Sequence, residues 1–272
     1  SIFKGAAPSS GNKLPVDLWI SATSGVYTHN PADVTMFPCS TKIEYDSPTP
    51  DYPDPIGENK IKYNRDDSWA YCVGFYPQGK WSVIETIATA EIDGKTDLMF
   101  APQISGKWTM PFEEQTYSHL LTWLKVCICA TDTEAVSAWG DIADISVITD
   151  NDYPIYSSVT ADLGTGETEY SGDSHPLHFF ANNVALETVI KETGSVLCSP
   201  SSKYRLKVRT LSGKEKTILI NLKDLAGNEI NSNVDAAGKM FIITLYFNPF
   251  DVIEGVCTLN SWNNEDEELE LE

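Results

Sequence analysis

The sequence predicts an all-β protein of two tandem β-sandwich domains, residues 1–150 and 151–272. Three observations lead there. Apolar residues recur at period two or in short runs, Gly, Pro, Asn and Asp punctuate those runs, and helical periodicity is scarce. Many short strands separated by turns specify sandwiches, whereas a βαβ sheet would alternate strands with helices.

In chain order the strand candidates begin with "VDLWISAT" from Val16, "TKIEYD" from Thr41 and "NKIKYN" from Asn59. "YCVGFYP" from Tyr71, "WSVIETIATA" from Trp81 and "DLMFA" from Asp97 follow. Then come "YSHLLTWLKVCICA" from Tyr117, "DIADISVIT" from Asp141, "MFIITLYF" from Met240 and "VIEGVCTLN" from Val252. The clearest element is "KYRLKVRT" from Lys203, where Tyr204, Leu206 and Val208 alternate with Arg205, Lys207 and Arg209. One face is buried and the other is wet. "SGKEK" from Ser212 supplies a turn and "TILINL" from Thr217 returns as the partner strand of a hairpin. "NNVALETVIKET" from Asn182 is the one helix candidate, weakened by β-branched Val184, Val189 and Ile190. The Asn, Asp and Pro of "TDNDYPIYSS" from Thr149 place the domain boundary. The four prolines of "PTPDYPDPIG" from Pro48 predict an extended surface loop, and "NNEDEELELE" predicts a solvated acidic end.

Charge narrows the function classes. Thirty-nine acidic residues against nineteen basic give a net charge of −20, which repels phosphate backbones and excludes nucleic acid as a natural partner. No apolar run reaches the roughly 18 residues that a membrane helix needs, so no membrane span is expected. The first residues carry neither the charged nor the apolar region of a signal peptide, which is expected to be absent or already removed. Six cysteines, at 39, 72, 127, 129, 198 and 257, form no CxxC pair. Four sit in apolar stretches and read as small buried hydrophobes, and the sequence does not choose among disulfide pairings.

A search for chemistry returns little. The chain lacks GxSxG, HExxH, the Walker A loop and a GxGxxG that opens a helix. His175 and His178 flank Pro176, a spacing that suits a metal only in a turn and with further ligands. His119 lies inside a strand pattern and reads as a satisfied core or edge histidine. Paired carboxylates for sugar hydrolysis do not stand out, and Asp93-Gly94 reads as a hairpin turn rather than a calcium loop. No catalytic residue, metal or cofactor is assigned. Seven Trp and twelve Tyr raise a carbohydrate-binding module as the rival reading, although Trp19 and Trp123 lie in strand patterns as core residues do.

Five stretches in this order resemble the fimbrillin-like family of Bacteroidetes cell-surface proteins, whose members form or decorate type V pili. They are "WAYCVGFYP" from Trp69, "DGKTDLMFAP" from Asp93, "YSHLLTWLKVCI" from Tyr117, "WGDIADISVIT" from Trp139 and the closing "MFIITLYFNPFDVIEGVCTLNSW" from Met240. The resemblance implies two transthyretin-like β-sandwich domains, export as a lipoprotein precursor, and display at the outer membrane or in a fimbrium. It also implies removal of an N-terminal strand and its replacement by a neighbouring subunit's C-terminal strand, through β-strand addition. Many relatives are cut after an early arginine. Here the first arginine is Arg65, so Lys4 and Lys13 are the maturation candidates and Leu269 and Leu271 the donor-strand candidates. The expected partners are other pilin subunits and a host or bacterial surface protein or glycan. The expected role is a fimbrial subunit or an accessory or tip adhesin. The alternative is a carbohydrate-binding module of an outer-membrane glycan-uptake system.

Overall fold

The computed structural model describes residues 3–4, 16–27, 39–43, 67–110, 112–113, 115–260 and 262. The first strands are β1 (Phe3–Lys4), β2 (Val16–Ser21), β3 (Cys39–Ile43), β4 (Ala70–Tyr76), β5 (Ser82–Ile84), β6 (Ile87–Glu91), β7 (Met99–Gly106), β8 (Tyr117–His119) and β9 (Thr122–Ala130). After the helix α1 (Thr133–Trp139) come β10 (Ile142–Ile148), β11 (Tyr156–Asp162), β12 (Thr168–Asp173), β13 (Leu177–His178) and β14 (Lys191–Cys198). The last are β15 (Lys203–Thr210), β16 (Glu215–Asn221), β17 (Met240–Phe247) and β18 (Ile253–Asn260), with a 3-10 turn at Asn233–Ala236 between β16 and β17.

The strands form four sheets, and the fold is all-β and sandwich-like, as the periodicity predicts. One sheet has the order β1-β8-β7-β4-β2-β3 and another β12-β11-β6-β5. Between these two lies a core of Val73, Phe75, Ala88, Ala90, Phe100, Val159 and Ala161. The other pair, β13-β10-β15-β16 and β14-β9-β17-β18, encloses the larger core, in which Leu124, Val126, Ile145, Leu206, Phe241 and Leu245 are fully buried.

Sheet membership does not divide the chain at residue 150. β9 and β10 precede it yet belong to the second sandwich, while β11 and β12 follow it and complete the first, with Val159 opposite Ala90 in antiparallel register. The Asn-Asp-Pro break marks a crossing from one sandwich to the other, because a turn signal reports where the chain changes direction and not which sheet it joins next. β9 also pairs in parallel with β17, Met240 opposite Trp123 through Phe247 opposite Ala130. Such a pairing needs a long connection, here over a hundred residues that include β10 through β16.

Local chemistry accounts for the individual elements. In β15, Tyr204, Leu206 and Val208 are buried while Arg209 is exposed, and the strand pairs with β16 from Lys203–Asn221 to Arg209–Glu215. The helix arises elsewhere than the segment from Asn182, which runs as a loop with one bridge at Val184 and then becomes β14. The helix is α1, capped by the Asp132 carboxylate accepting from the Ala135 amide at 2.7 Å and ended by Gly140 at φ 66°. It buries Trp139, whose indole nitrogen donates to the Asn248 carbonyl at 2.7 Å. Two longer strand expectations are divided: Glu85, at φ 53°, separates β5 from β6, and Leu120–Leu121 separate β8 from β9. Asp93-Gly94 is no hairpin, since β6 and β7 lie in different sheets. The Asp93 carboxylate accepts from the Lys95 and Thr96 amides and turns the chain between layers. The segment from Asn59 and the Pro48–Gly57 loop fall outside the described residues.

Candidate functional site

The outer edge of the six-stranded sheet is built from short pieces. β8 pairs antiparallel with only the first two residues of β7, His119 opposite Met99 and Ser118 opposite Phe100. Beyond them the Gln115 side-chain amide donates to the carbonyls of Ala101 and Pro102 on β7 and of Cys72 on β4. A side chain thus occupies carbonyls where a longer strand would pair. On the far side of β8 lies β1, parallel to it, with Phe3 opposite Tyr117 and Lys4 opposite Ser118. Lys4 is therefore the last residue of the outermost strand. Lys13, Leu269 and Leu271 lie outside the described residues.

Tyr117 reaches inward over the sheet. Its hydroxyl sits where a side chain on Gly74 would stand, 2.1 Å from an ideal Cβ position, so glycine at 74 is what lets the Tyr117 ring reach across to β4.

Next to this edge, His119 is buried and its Nδ1 lies 2.6 Å from the Asp97 carboxylate. Trp262, just past the end of β18, stacks on the His119 ring at 4.2 Å between centroids and meets Trp123 at 5.3 Å. A residue from the end of the second sandwich thereby closes over the edge region of the first. Trp19 and Trp123 are half-buried and pack on the core of the first sandwich, a boundary position between the core reading and an exposed platform. The sequence reading of His119 as a satisfied core or edge histidine agrees with its burial at the end of β8, but only its Nδ1 is satisfied, and Nε2 is buried without a partner. Its carboxylate partner could not be found from spacing, because Asp97 precedes β7 and His119 ends β8.

The second His–carboxylate pair joins His178 Nδ1 to Asp144 at 2.7 Å, with Ser146 Oγ bonded to the other carboxylate oxygen. The serine is bonded to the acid and not to the imidazole, so the three do not form a nucleophile–base relay. Among the described residues no group of three His, Cys, Asp or Glu side chains converges as a metal site, and His178 is engaged by Asp144 rather than by His175.

A third surface lies at the other end of β7. Trp108 and Met110 are largely exposed on the turn closed by the Lys107–Met110 backbone bonds. Asp67 fastens this turn, accepting from Lys107 Nζ at 2.7 Å and from the Thr109 amide at 2.9 Å. These donors hold the Asp67 carboxyl down at about 2. Lys107 also lies 5.3 Å from the centre of the Trp69 ring. The described residues contain no helix long and apolar enough to cross a membrane.

No protein-family model and no curated protein sequence matches the chain. Solved structures do match over nearly its whole length. A candidate cell adhesion protein from Bacteroides uniformis is similar with a TM-score of 0.61 at 15% identity, over 96% of each chain. A fimbrial protein from Bacteroides vulgatus is similar at 0.52 and 11% identity, over 91% of this chain and 93% of that one. A candidate polysaccharide-binding protein from Bacteroides thetaiotaomicron is similar at 0.52 and 11%, over 92% and 89%. With identities this low the likeness is one of fold: the chain shares the all-β architecture of Bacteroides proteins described as cell adhesion and fimbrial proteins, in keeping with its fimbrillin-like resemblance.

Proposed function

We propose that this chain is a non-catalytic adhesive protein of the cell surface, a fimbrial subunit or an accessory or tip adhesin that assembles by β-strand addition. The observation that carries the reading is the position of Lys4. Cleavage after it releases the whole of β1 and leaves β8 with β7 on one side and an open edge on the other, among the described residues. An open strand edge is a template for an incoming strand, whose main-chain bonds supply affinity and whose alternate side chains supply selectivity. Leu269 and Leu271 alternate with acidic residues in the final "ELELE", which suits a strand with one face buried. The neighbours described as cell adhesion and fimbrial proteins support a surface location.

The test is trypsin-like proteolysis of the purified chain, followed by mass spectrometry of the new N-terminus and sizing. Trimming after Lys4 or Lys13 with heat-resistant oligomers supports assembly, and Leu269→Asp with Leu271→Asp should then abolish it. A trimmed chain that stays monomeric would refute self-assembly. The second reading, a carbohydrate-binding module, is favoured by exposed Trp108, at 70% of its full accessible surface. Trp108→Ala should lower retention on a glycan column if this reading holds.

A further inference from the structure

A cavity of about 600 Å³ opens where the two sandwiches meet. One wall is the Asp93–Lys95 turn of the first sandwich, held to the second by the Leu197 amide donating to the Gly94 carbonyl at 2.9 Å. The opposite walls are Asp144 of β10, Leu177 and His178 of β13, Phe180 just beyond it, and Arg209 of β15. Neither the edge strand nor the Trp262 cluster contributes to it. Its volume falls within the usual range for small-molecule sites, which favour domain junctions.

The lining sets two cations, Lys95 and Arg209, against two carboxylates, Asp93 and Asp144, a balance unlike that of the whole chain, whose net charge is −20. Both carboxylates in the lining are already occupied. Asp93 accepts from two backbone amides and from the Thr96 hydroxyl, and its carboxyl is held below the usual range despite partial burial. Asp144 accepts from His178 and Ser146. The two cations are not occupied. Arg209 stands opposite Asp144 in the β10–β15 register, yet that carboxylate is taken by the imidazole. Neither the Arg209 guanidinium nor the Lys95 ammonium makes an ion pair among the described residues. Leu177 and Phe180 are half-buried, packed on the second core behind and presenting apolar surface to the cavity.

We infer that this cavity binds a carboxylate-bearing sugar, a hexuronic or sialic acid residue. The guanidinium fork matches a carboxylate in a two-point contact and the ammonium adds a point charge. The Phe180 face suits the C–H face of a pyranose, and His178, whose Nδ1 is engaged by Asp144, leaves its Nε2 for a sugar hydroxyl. Such binding is independent of strand addition, because the cavity shares no residue with the β1–β8 edge.

The experiment is calorimetric titration of the full chain at low salt with glucuronic acid, N-acetylneuraminic acid, glucose and acetate, repeated with Arg209→Gln and Lys95→Gln. Both side chains are exposed, so circular dichroism should show an unchanged fold. At least one acid should bind saturably, glucose and acetate should bind at least tenfold more weakly, and each variant should weaken the acid tenfold or more. Whichever acid binds more tightly identifies the source. Absence of saturable binding by both acids, equal binding of glucose or acetate, or indifference to both substitutions would overturn the assignment.

Discussion

Replacing Trp262 by alanine removes a side chain that ties the end of β18 to the first sandwich. The indole makes two ring contacts, with His119 at 4.2 Å and Trp123 at 5.3 Å, each worth about 0.5–1.5 kcal/mol beyond area burial. A tryptophan buries about 150–250 Å² when enclosed. Half of that, at about 25 cal/mol per Å², adds about 2–3 kcal/mol. The sum exceeds what a single truncation normally costs, since solvent refills part of the gap and neighbours relax, and a loss of about 3 kcal/mol is expected. Urea unfolding followed by intrinsic fluorescence measures it. A second signal comes from His119, whose Nε2 is buried without a hydrogen-bond partner. Uncovering it should speed acylation of that imidazole by diethyl pyrocarbonate, read by mass spectrometry. A variant with a loss below about 0.5 kcal/mol, the scatter of surface substitutions, and an unchanged labelling rate would refute the reasoning that Trp262 is a clasp between the sandwiches.

Three further outcomes follow from the geometry. Gly194→Ala would place a Cβ 1.9 Å from the Phe179 carbonyl oxygen, a backbone atom that cannot swing away, so β14 or the Phe179–Phe180 wall must shift. A loss of about 2–3 kcal/mol in denaturant unfolding is expected, together with weakened acidic-sugar binding, and an unchanged midpoint would contradict the close approach. The Asp67 carboxyl is lowered from 3.8 to about 2 by Lys107 and Thr109. Its stabilisation is therefore complete above about pH 4 and is lost as the pH falls through about 2. A carbon-detected titration of Asp67 with an ordinary midpoint would rule out the clamp on the Trp108 turn. Cys72, Cys127, Cys129, Cys198 and Cys257 are free thiols, and burial pushes Cys198 up to about 12 and Cys257 to about 11. Ellman's reagent should leave both unreacted until guanidinium is added, and rapid reaction in the native state would count against their burial.

How much of this was legible in advance depended on how local the governing interactions are. Of the β15–β16 hairpin, β15 was readable to the residue and β16 to within two residues at its start, because a period-two pattern and a short turn together fix both the buried face and the partner. The burial of His119 was also readable from its strand setting. Helix α1 was missed because seven residues give too few turns for helical periodicity to show. The available signal was Asp132 as cap with Gly140 at the other end. The acidic-sugar cavity had no sequence signal, since Lys95, His178 and Arg209 come from distant segments.

The sequence by itself determined the class of element, the face that β15 buries, and the fold family that the order of its stretches resembles. Tertiary structure alone decided which strands meet. Alternation states that one face of a strand must leave water, but every apolar face satisfies that demand equally well. Only the closing of two complete cores sends β11 and β12 back to the first sandwich and sets β17 beside β9. Those long-range choices also bring Trp262 onto His119 and gather two unpaired cations into one cavity of an otherwise acidic protein.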